Sequence, residues 1–209
     1  MLFNMELNSE DIRQKYNKEA SSYDWRLNVL ETLTGMKKIR RELLAKASGN
    51  ALAVAIGTGR DLLFYPRECT VTGIDLSEEM LRIAETNASR LHLHPALMKM
   101  DAESLTFLDD SFDTVVSTLA LCTFPHPEKA LQEMRRVCRP DGKVLLLEHG
   151  KSSLPKLARL QGALDDQWCK RSGCHLNRKP DELVRTAGFE ILSDRKSFFG
   201  ILHSIVAKP

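Results

Sequence analysis

Residues 51–77 read ALAVAIGTGRDLLFYPRECTVTGIDLS, and this stretch predicts a strand, a glycine turn, a short helix and a second strand. The apolar run Leu52–Ile56 is typical of a strand that is buried on both faces. Gly57 and Gly59 follow directly, and because they lack a Cβ the backbone can turn sharply and approach a ligand closely. A helix over Arg60–Tyr65 would point its free N–H groups back at that ligand.

An acidic residue completes the pattern. Val71–Ile74 is predicted to be the second strand, and Asp75 stands at its carboxyl end. A carboxylate roughly 20 residues after a glycine turn is placed to accept both hydroxyls of a ribose. The stretch therefore predicts a nucleoside-binding site.

Length, charge and cysteine content indicate a globular protein and give no sign of a membrane-spanning segment. The 209 residues suffice for one domain with a substantial core, or for one domain with a small cap. A formal charge of +2 gives no reason to expect nucleic acid as a partner. No apolar run approaches the roughly 18–20 residues that span a bilayer, and residues 1–20 lack the apolar region of a signal peptide. Five cysteines without a CxxC pair predict a reduced, cytoplasmic protein.

The middle of the chain alternates strands with helices. The predicted strands are Leu97–Met100, Phe112–Leu121 and Val144–Leu147, and the predicted helices are Ser77–Leu91, Glu128–Cys138 and Asp181–Ala187, with a turn at Arg139–Gly142. This alternation predicts an α/β fold with a doubly wound parallel sheet, whose ligand lies at the carboxyl ends of the strands. Near the end, Phe189–Phe198 and His203–Ala207 predict an antiparallel hairpin at the edge of the sheet.

The first fifty residues are predicted to be helical. Ser9–Trp25 begins with a helix-start signal, and Leu27–Ala47 carries apolar residues close to a helical period. Its basic residues are Lys37, Lys38, Arg40, Arg41 and Lys46. Two interpretations stay open: a core-packed helix with a solvated basic side, or contact with an anionic membrane surface.

Five successive motifs carry a resemblance to a known family. They are VAIGTGRDL, VTGIDLSEEML, MKMDAESL, DDSFDTVVSTLALCTFP and LQEMRRVCRPDGKVLLLEHG. In order and spacing they resemble the class I S-adenosylmethionine-dependent methyltransferases. More narrowly, they are similar to the group of ubiquinone/menaquinone methyltransferases, bacterial phospholipid N-methyltransferases and animal alkyl thiol methyltransferases.

The resemblance implies a fold and a division of the chain. The fold would be a doubly wound, seven-stranded Rossmann-like sheet with the C-terminal antiparallel hairpin. Residues 1–48 would form an N-terminal helical lid, and residues 49–209 the methyltransferase core with a small cap insertion at about 151–180.

The resemblance also implies roles for individual residues around S-adenosylmethionine. The expected cofactor-binding residues are Tyr16, Ala55, Gly57, Gly59, Asp75, Leu76, Met80, Asp101, Ala102, Ser117, Thr118 and Cys122. Asp75 would take the ribose hydroxyls and Asp101 the adenine amino group. Ala53 and Ala55 stand where the family usually has an acid and a first glycine, which predicts weaker cofactor affinity.

The acceptor side is less determined. His149 is the candidate for acceptor contact or proton removal, although a rim histidine bonded to backbone is equally compatible, and Tyr23 is a second candidate catalytic residue. The cluster GCHLNR, with Trp168 before it, is expected to form an acceptor-side wall or a brace for the cap through Trp168, His175, Asn177 and Arg178. No metal is predicted, because Cys169, Cys174 and His175 lack a fourth ligand at a familiar spacing.

Two activities and one non-catalytic alternative follow. The first is methyl transfer to a small-molecule nucleophile, a thiol in particular. The second is a membrane-surface methyltransferase acting on a phospholipid amine such as phosphatidylethanolamine, or on a quinone precursor; eleven basic and six acidic residues after position 150 favour contact with anionic lipid. The third is a cofactor-binding module without turnover. A monomer and a homodimer are both compatible with the sequence.

Overall fold

The computed structural model describes residues 7–209, apart from the side chain of Leu30. Residues 1–6, where the expected lid begins and where no signal peptide was expected, lie outside that range. Seven strands form a single sheet: β1 Asn50–Val54, β2 Thr70–Asp75, β3 Ala96–Lys99, β4 Phe112–Thr118, β5 Cys138–His149, β6 Glu190–Ser197 and β7 Leu202–Lys208. The helices are α1 Ser9–Thr34, α2 Met36–Leu44, α3 Glu78–Arg90, α4 Pro127–Val137, α5 Pro155–Ser172 and α6 Pro180–Thr186, with a short 3₁₀ helix at Arg60–Phe64.

The strand order is β3-β2-β1-β4-β5-β7-β6. Strands β1 to β5 are parallel, whereas β7 runs antiparallel to both β5 and β6. This confirms the predicted doubly wound sheet with its antiparallel hairpin. The strand order reverses between β1 and β4, and a crevice outside the carboxyl ends of the strands is expected at that point.

Both faces of the sheet are covered, which explains the continuous apolar runs in its strands. Leu52 and Val54 of β1 belong to one buried cluster, together with Leu131 of α4 and Val184 of α6. Ala51 and Ala53 belong to the opposite cluster, with side chains of α2 and of the 3₁₀ helix. Among residues 7–209, none of the helices combines the length and the apolar composition that a bilayer crossing requires.

The N-terminal helices differ from the prediction. The segment expected as one helix over Leu27–Ala47 is divided at Gly35, whose φ of 68° ends α1 and starts α2. Arg40, expected on the basic side with its neighbours, is only 2% exposed. The apolar residues keep a helical period across Gly35 in the sequence. That period therefore indicated neither the break between α1 and α2 nor the burial of the Arg40 guanidinium.

Several strand boundaries also shift. β1 stops at Val54 and β4 stops at Thr118, because Ala55 and Leu119 adopt positive φ angles of 51° and 55° and turn the chain out of the sheet. The predicted turn at Arg139–Gly142 lies inside β5, where the register with β4 jumps from Cys138 to Lys143. Pro140 cannot donate a hydrogen bond, so it is accommodated in this irregular part of the ladder.

The segment between β5 and α6 contains a helix that the sequence did not predict. α5 spans 18 residues and ends at Gly173, which has a φ of 73°. Its buried residues are polar or sulfur-containing: Gln161, Asp165 and Cys169. The helix escaped prediction because an apolar stripe on its inner face is missing.

Candidate active site

The glycine turn after β1 contains two glycines with different surroundings. At Gly57, with a φ of 58°, an added Cβ would meet no atom of the described chain within 4 Å, so the backbone there is open to a ligand. At Gly59, with a φ of 77°, an added Cβ would lie 3.2 Å from Ala84 of α3. Gly57 therefore faces the cavity, whereas Gly59 allows close packing of the turn on α3. The helix that follows is a 3₁₀ helix of five residues rather than an α-helix with a free N-terminus.

Asp75 is held at the end of β2 by backbone donors. Its Oδ2 accepts a hydrogen bond from the Gly57 N–H at 2.8 Å, and its Oδ1 accepts one from the Ser77 N–H at 2.9 Å. Burial raises the pKa of Asp75 to about 6, against the opposing effect of these hydrogen bonds. The carboxylate is thus fixed in one orientation beside the glycine turn.

A cavity of about 690 Å³ lies at the carboxyl ends of β1, β2 and β4 and the residue stretch after β3. The predicted residues that line it are Tyr16, Tyr23, Ala55, Gly57, Asp75, Leu76, Met80, Asp101, Ala102 and Thr118. Ser9, Ile12 and Arg13 of α1 also line it, as do Thr123, Phe124 and Pro125 after β4. Sequence reasoning missed these six because nothing in their pattern distinguishes them from surface or loop residues.

Ser117 and Cys122, which were expected beside the cofactor, are found behind the cavity wall. Ser117 is 1% exposed, and its hydroxyl donates to Glu148 Oε1 at 3.0 Å. Glu148 Oε2 accepts from the Leu121 N–H at 3.1 Å, so this carboxylate shapes the loop after β4. Burial raises the pKa of Glu148 to about 7. Cys122 is 2% exposed.

Helix α1 is fastened across the cavity by hydrogen bonds to both sides of the site. Thr58 in the glycine turn donates from Oγ1 to Asp24 Oδ1 at 2.6 Å. Ser77 at the start of α3 donates from Oγ to Asn17 Oδ1 at 2.6 Å. Asp24 and Asp75 thus hold the glycine turn through Thr58 and Gly57.

A buried ionic network connects the two N-terminal helices to the 3₁₀ helix and to the end of β4. Arg40 of α2 pairs with Glu31 of α1 at 3.0 Å and with Asp61 of the 3₁₀ helix, and it donates to Thr118 Oγ1 at 3.1 Å. Thr118 Oγ1 in turn donates to Asp61 Oδ2 at 2.7 Å. The guanidinium therefore joins both N-terminal helices to the edge of the site.

A second cavity of about 1070 Å³ adjoins the first and shares Ile12, Thr123, Phe124 and Pro125 with it. Its opposite wall includes Asp165, Cys169, His175, Asn177 and Arg178. His175 Nδ1 lies 2.7 Å from Asp165 Oδ2, and His175 Nε2 lies 3.3 Å from Cys169 Sγ. Three of the four expected acceptor-side residues are thus at this cavity. Trp168 instead lies outside the cavity lining and is 48% exposed.

His149 lies in the partition between the cavities rather than in the described lining of either. Its Nε2 is 3.1 Å from Cys174 Sγ. Hydrogen bonds from Cys122 and His149 lower the pKa of Cys174 to about 5, against the effect of burial. Burial lowers the pKa of His149, but its interactions with Cys174 and Glu148 raise it above its usual value on balance.

Comparisons with known proteins agree with this geometry. Residues 52–146 match the family described as "Methyltransferase domain". A ubiquinone/menaquinone biosynthesis C-methyltransferase UbiE from Bdellovibrio bacteriovorus is 35% identical over 73% of this chain and 68% of that protein. The thiol S-methyltransferase TMT1B of Rattus norvegicus is 32% identical over 77% of this chain and 73% of that protein.

Two further similarities complete the comparison. A phosphatidylethanolamine N-methyltransferase from Cereibacter sphaeroides is 41% identical over 56% of this chain, which spans 58% of that protein's length. A solved SAM-dependent methyltransferase from Methanosarcina mazei superposes with a TM-score of 0.64 and 26% identity, covering 79% of this chain and 94% of that one. The chain belongs to the class I S-adenosylmethionine-dependent methyltransferases, and S-adenosylmethionine is its cofactor.

Proposed function

We propose that this methyltransferase acts on the sulfur of a small thiol. The observation that carries the proposal is the second cavity, which adjoins the cofactor cavity and has the His175–Asp165 pair in its wall. A thiol with a pKa of about 8.5 must lose its proton before it attacks. A histidine oriented by a carboxylate is suited to accept that proton. The similarity to a thiol S-methyltransferase supports the same acceptor class.

The first cavity offers a complementary set of groups for S-adenosylmethionine, which supplies a methyl group already activated on a sulfonium sulfur. We assign the ribose to Asp75 and the adenine to Asp101 and the Ala102 N–H, with Leu76 and Met80 packing on the ring. We assign the methionyl part to Ala55, Gly57 and Thr118. The open space at Gly57 supports this assignment, since a Cβ there would project into the region where the ligand must lie.

The remaining task of the chain is to align the acceptor and exclude water. We propose that α1 acts as the lid, with Tyr16 and Tyr23 above the reacting atoms, whereas α2 packs in the core. Burial raises the pKa of Tyr23, so its hydroxyl stays protonated and positions groups rather than accepting a proton. We propose that His175, which lines the second cavity, is the base, the role that the sequence had suggested for His149.

The test measures transfer of labelled methyl groups from S-adenosylmethionine to small thiols, with 2-mercaptoethanol as the first probe. We expect label in a thioether. His175→Gln should lower kcat/KM by about 10²–10⁴-fold near neutral pH. The deficit should shrink above about pH 9, where the thiol ionises without help. His94→Gln, which changes an exposed histidine before β3, should leave the rate unchanged. A deficit of equal size at all pH values would contradict the role of His175.

A second candidate function is methylation of a phospholipid amine at a membrane surface. It is favoured by an exposed apolar stripe on α5, formed by Leu160, Leu164 and Trp168, which are 54%, 44% and 48% exposed. Basic residues flank the stripe: Lys156, Arg159, Lys170 and Arg171. The same helix contributes Asp165 and Cys169 to the second cavity. A membrane contact on this stripe would bring the cavity close to lipid headgroups.

Assays with lipid vesicles distinguish methylation of a phospholipid amine from methylation of a small thiol. If the second is correct, label enters phosphatidylethanolamine, and the protein co-sediments with vesicles containing phosphatidylglycerol at low salt but not at high salt. Trp168→Ala should then reduce co-sedimentation, whereas Trp25→Ala, at a 71% exposed tryptophan on α1, should not. Label in small thioethers without label in lipid would favour the first function.

A further inference from the structure

Three sulfur and nitrogen donors from distant parts of the sequence converge in the partition between the two cavities. Cys122 follows β4, His149 ends β5, and Cys174 follows α5. One ligand atom of each lies within 4.8 Å of one ligand atom of each of the others. His149 Nε2 and Cys174 Sγ are 3.1 Å apart.

The position of this cluster relates it to both cavities. Thr123, the neighbour of Cys122, lines both of them, and Gly173 and His175 flank Cys174 in the lining of the second. An added Cβ at Gly173 would lie 3.7 Å from Tyr16 Cε2, and Tyr16 lines the first cavity. The donors therefore lie directly behind residues that line the two cavities.

We propose that Cys122, His149 and Cys174 form a binding site for Zn²⁺, with a fourth coordination position that takes the sulfur of the acceptor. Two cysteines and one histidine form a donor set found in catalytic zinc sites, which keep one position open for a small ligand. In such a tetrahedron, Zn–S bonds of about 2.3 Å and Zn–N bonds of about 2.0 Å place the donors about 3.5–3.8 Å apart. The observed distance of 3.1 Å and the upper bound of 4.8 Å on the other separations are compatible with that range after small side-chain movements.

The charges at the site suit this metal. Two thiolates balance the double positive charge of the ion, and thiolate ligands select zinc over magnesium or calcium. Among the residues that the structure describes, no fourth cysteine, histidine or carboxylate joins the cluster within 4.8 Å. The described residues thus leave the fourth position of a zinc tetrahedron without a protein ligand, as in catalytic zinc sites.

A second group of possible metal ligands differs from this cluster because its carboxylates are already paired with cations. Asp181, Asp194 and His203 also lie within 4.8 Å of one another. Lys196 already pairs with Asp181 at 2.9 Å and with Asp194 at 3.7 Å, and Arg185 pairs with Asp181 at 3.4 Å. These cations occupy the carboxylates, so this group is an ion-pair network.

The fourth ligand rests on the proposed thiol acceptor, whereas the zinc site does not. When the thiol replaces water on zinc, a Zn–S bond forms and the S–H bond breaks. The proton passes to His175 or to solvent, and the sulfur keeps a lone pair for attack on the methyl carbon. This gives the cluster an activating role in addition to that of the base.

The test uses the full chain and Co²⁺ as a spectroscopic probe for zinc, without S-adenosylmethionine. We expect the protein, purified under reducing conditions and stripped with a chelator, to bind Co²⁺ with a thiolate-to-cobalt charge-transfer band that Zn²⁺ abolishes. Loss of a residue that only supports a metal ligand costs about 10–100-fold in metal affinity. Cys174 and His149 are proposed as direct ligands, so Cys174→Ser and His149→Ala should each weaken Co²⁺ binding by more than about 100-fold. Circular dichroism would establish that both variants are folded.

Two cysteines outside the cluster provide matched controls. Cys138→Ser changes a buried cysteine whose Sγ contacts the Lys143 carbonyl, and Cys169→Ser changes the partner of His175. Both variants should keep the band. Three outcomes would overturn the proposed ligand set. The parent protein could show no band, the band could survive in both cluster variants, or Cys169→Ser could lose it.

The fourth position has its own readout. Adding 2-mercaptoethanol to the Co²⁺ protein should increase the charge-transfer absorbance and shift the visible bands, because a third sulfur enters the coordination sphere. An unchanged spectrum would overturn the open position. Neither spectrum depends on methyl transfer, so failure of the proposed function and failure of the zinc site are separate results.

Discussion

At the scale of single residues, Asp75 combines two opposing influences. Its carboxylate accepts hydrogen bonds from the Gly57 and Ser77 amides, yet burial raises its pKa to about 6. Ribose hydroxyls donate hydrogen bonds best to the ionised form. Cofactor affinity should therefore be lost as pH falls through the raised pKa rather than near the usual value for aspartate.

We expect the dissociation constant for S-adenosylmethionine to be constant above about pH 7 and to rise about tenfold per pH unit below about pH 6. Isothermal titration calorimetry between pH 5 and pH 8 measures it. Asp75→Asn should bind at least about tenfold more weakly at pH 8 and show a flat pH profile, because charge-assisted hydrogen bonds contribute about 1.5–3 kcal/mol. Asp101→Asn should weaken binding while keeping the fall at low pH. A wild-type profile that is flat to pH 5 would contradict the ribose assignment.

Single residues also mark how far sequence reasoning reaches. Gly57 and Asp75 could be found because the turn and the acid are local consequences of a strand–turn–strand unit. The cluster of Cys122, His149 and Cys174 could not, because its members come from two loops and the end of a strand, at spacings that match no known motif. His175 was found by its unusual neighbourhood, but its partner Asp165 is revealed only by the fold.

At the scale of secondary-structure elements, the buried cation Arg40 connects α1 and α2 to the core. Arg40 pairs with Glu31 and Asp61, and all three side chains are buried; Arg60 supplies a second cation to Glu31 at 2.7 Å. Removing one partner of a buried pair leaves an uncompensated charge, which is more costly than losing an exposed ion pair. The helical period alone placed Arg40 with its solvated neighbours, because a period reports which face is apolar and not which cation finds buried partners.

We expect Arg40→Met to reduce the free energy of unfolding by about 3–5 kcal/mol, measured by urea denaturation. Arg41→Met changes the neighbouring exposed arginine on the same helix and should alter the value by no more than about 0.5 kcal/mol. Equal stability of the two variants would show that the Arg40 network adds nothing to the attachment of the helices.

At the scale of the whole molecule, the doubly wound parallel sheet was predictable because alternating strands and helices allow few topologies, whereas the strand order is known only from the structure. The N-terminal lid that we propose could be expected only as a segment, since the hydrogen bonds from Thr58 to Asp24 and from Ser77 to Asn17 join residues far apart in sequence. Those bonds close α1 over the cavity. As the proposed lid, this part of α1 would open to admit the cofactor.

Hydrogen exchange tests this opening. We expect amides within residues 9–23 to exchange more slowly when S-adenosylhomocysteine is bound, approaching about 100-fold at a ligand concentration about 100 times the dissociation constant. Amides of α4, on the far side of the sheet from α2, serve as the internal reference. Protection confined to the glycine turn, with unchanged exchange in residues 9–23, would show that α1 is not a lid.

The place of β7 has a consequence for biosynthesis. This strand lies between β5 and β6, although it is made after both, and Ile205 and Ala207 are fully buried. While the ribosome is still translating residues 150–201, β5 presents an unpaired edge and β6 has no neighbour to join. Such edges attract other chains. The nascent protein thus passes through an interval in which it needs protection from aggregation, and that interval ends when residues 202–208 emerge and complete the sheet.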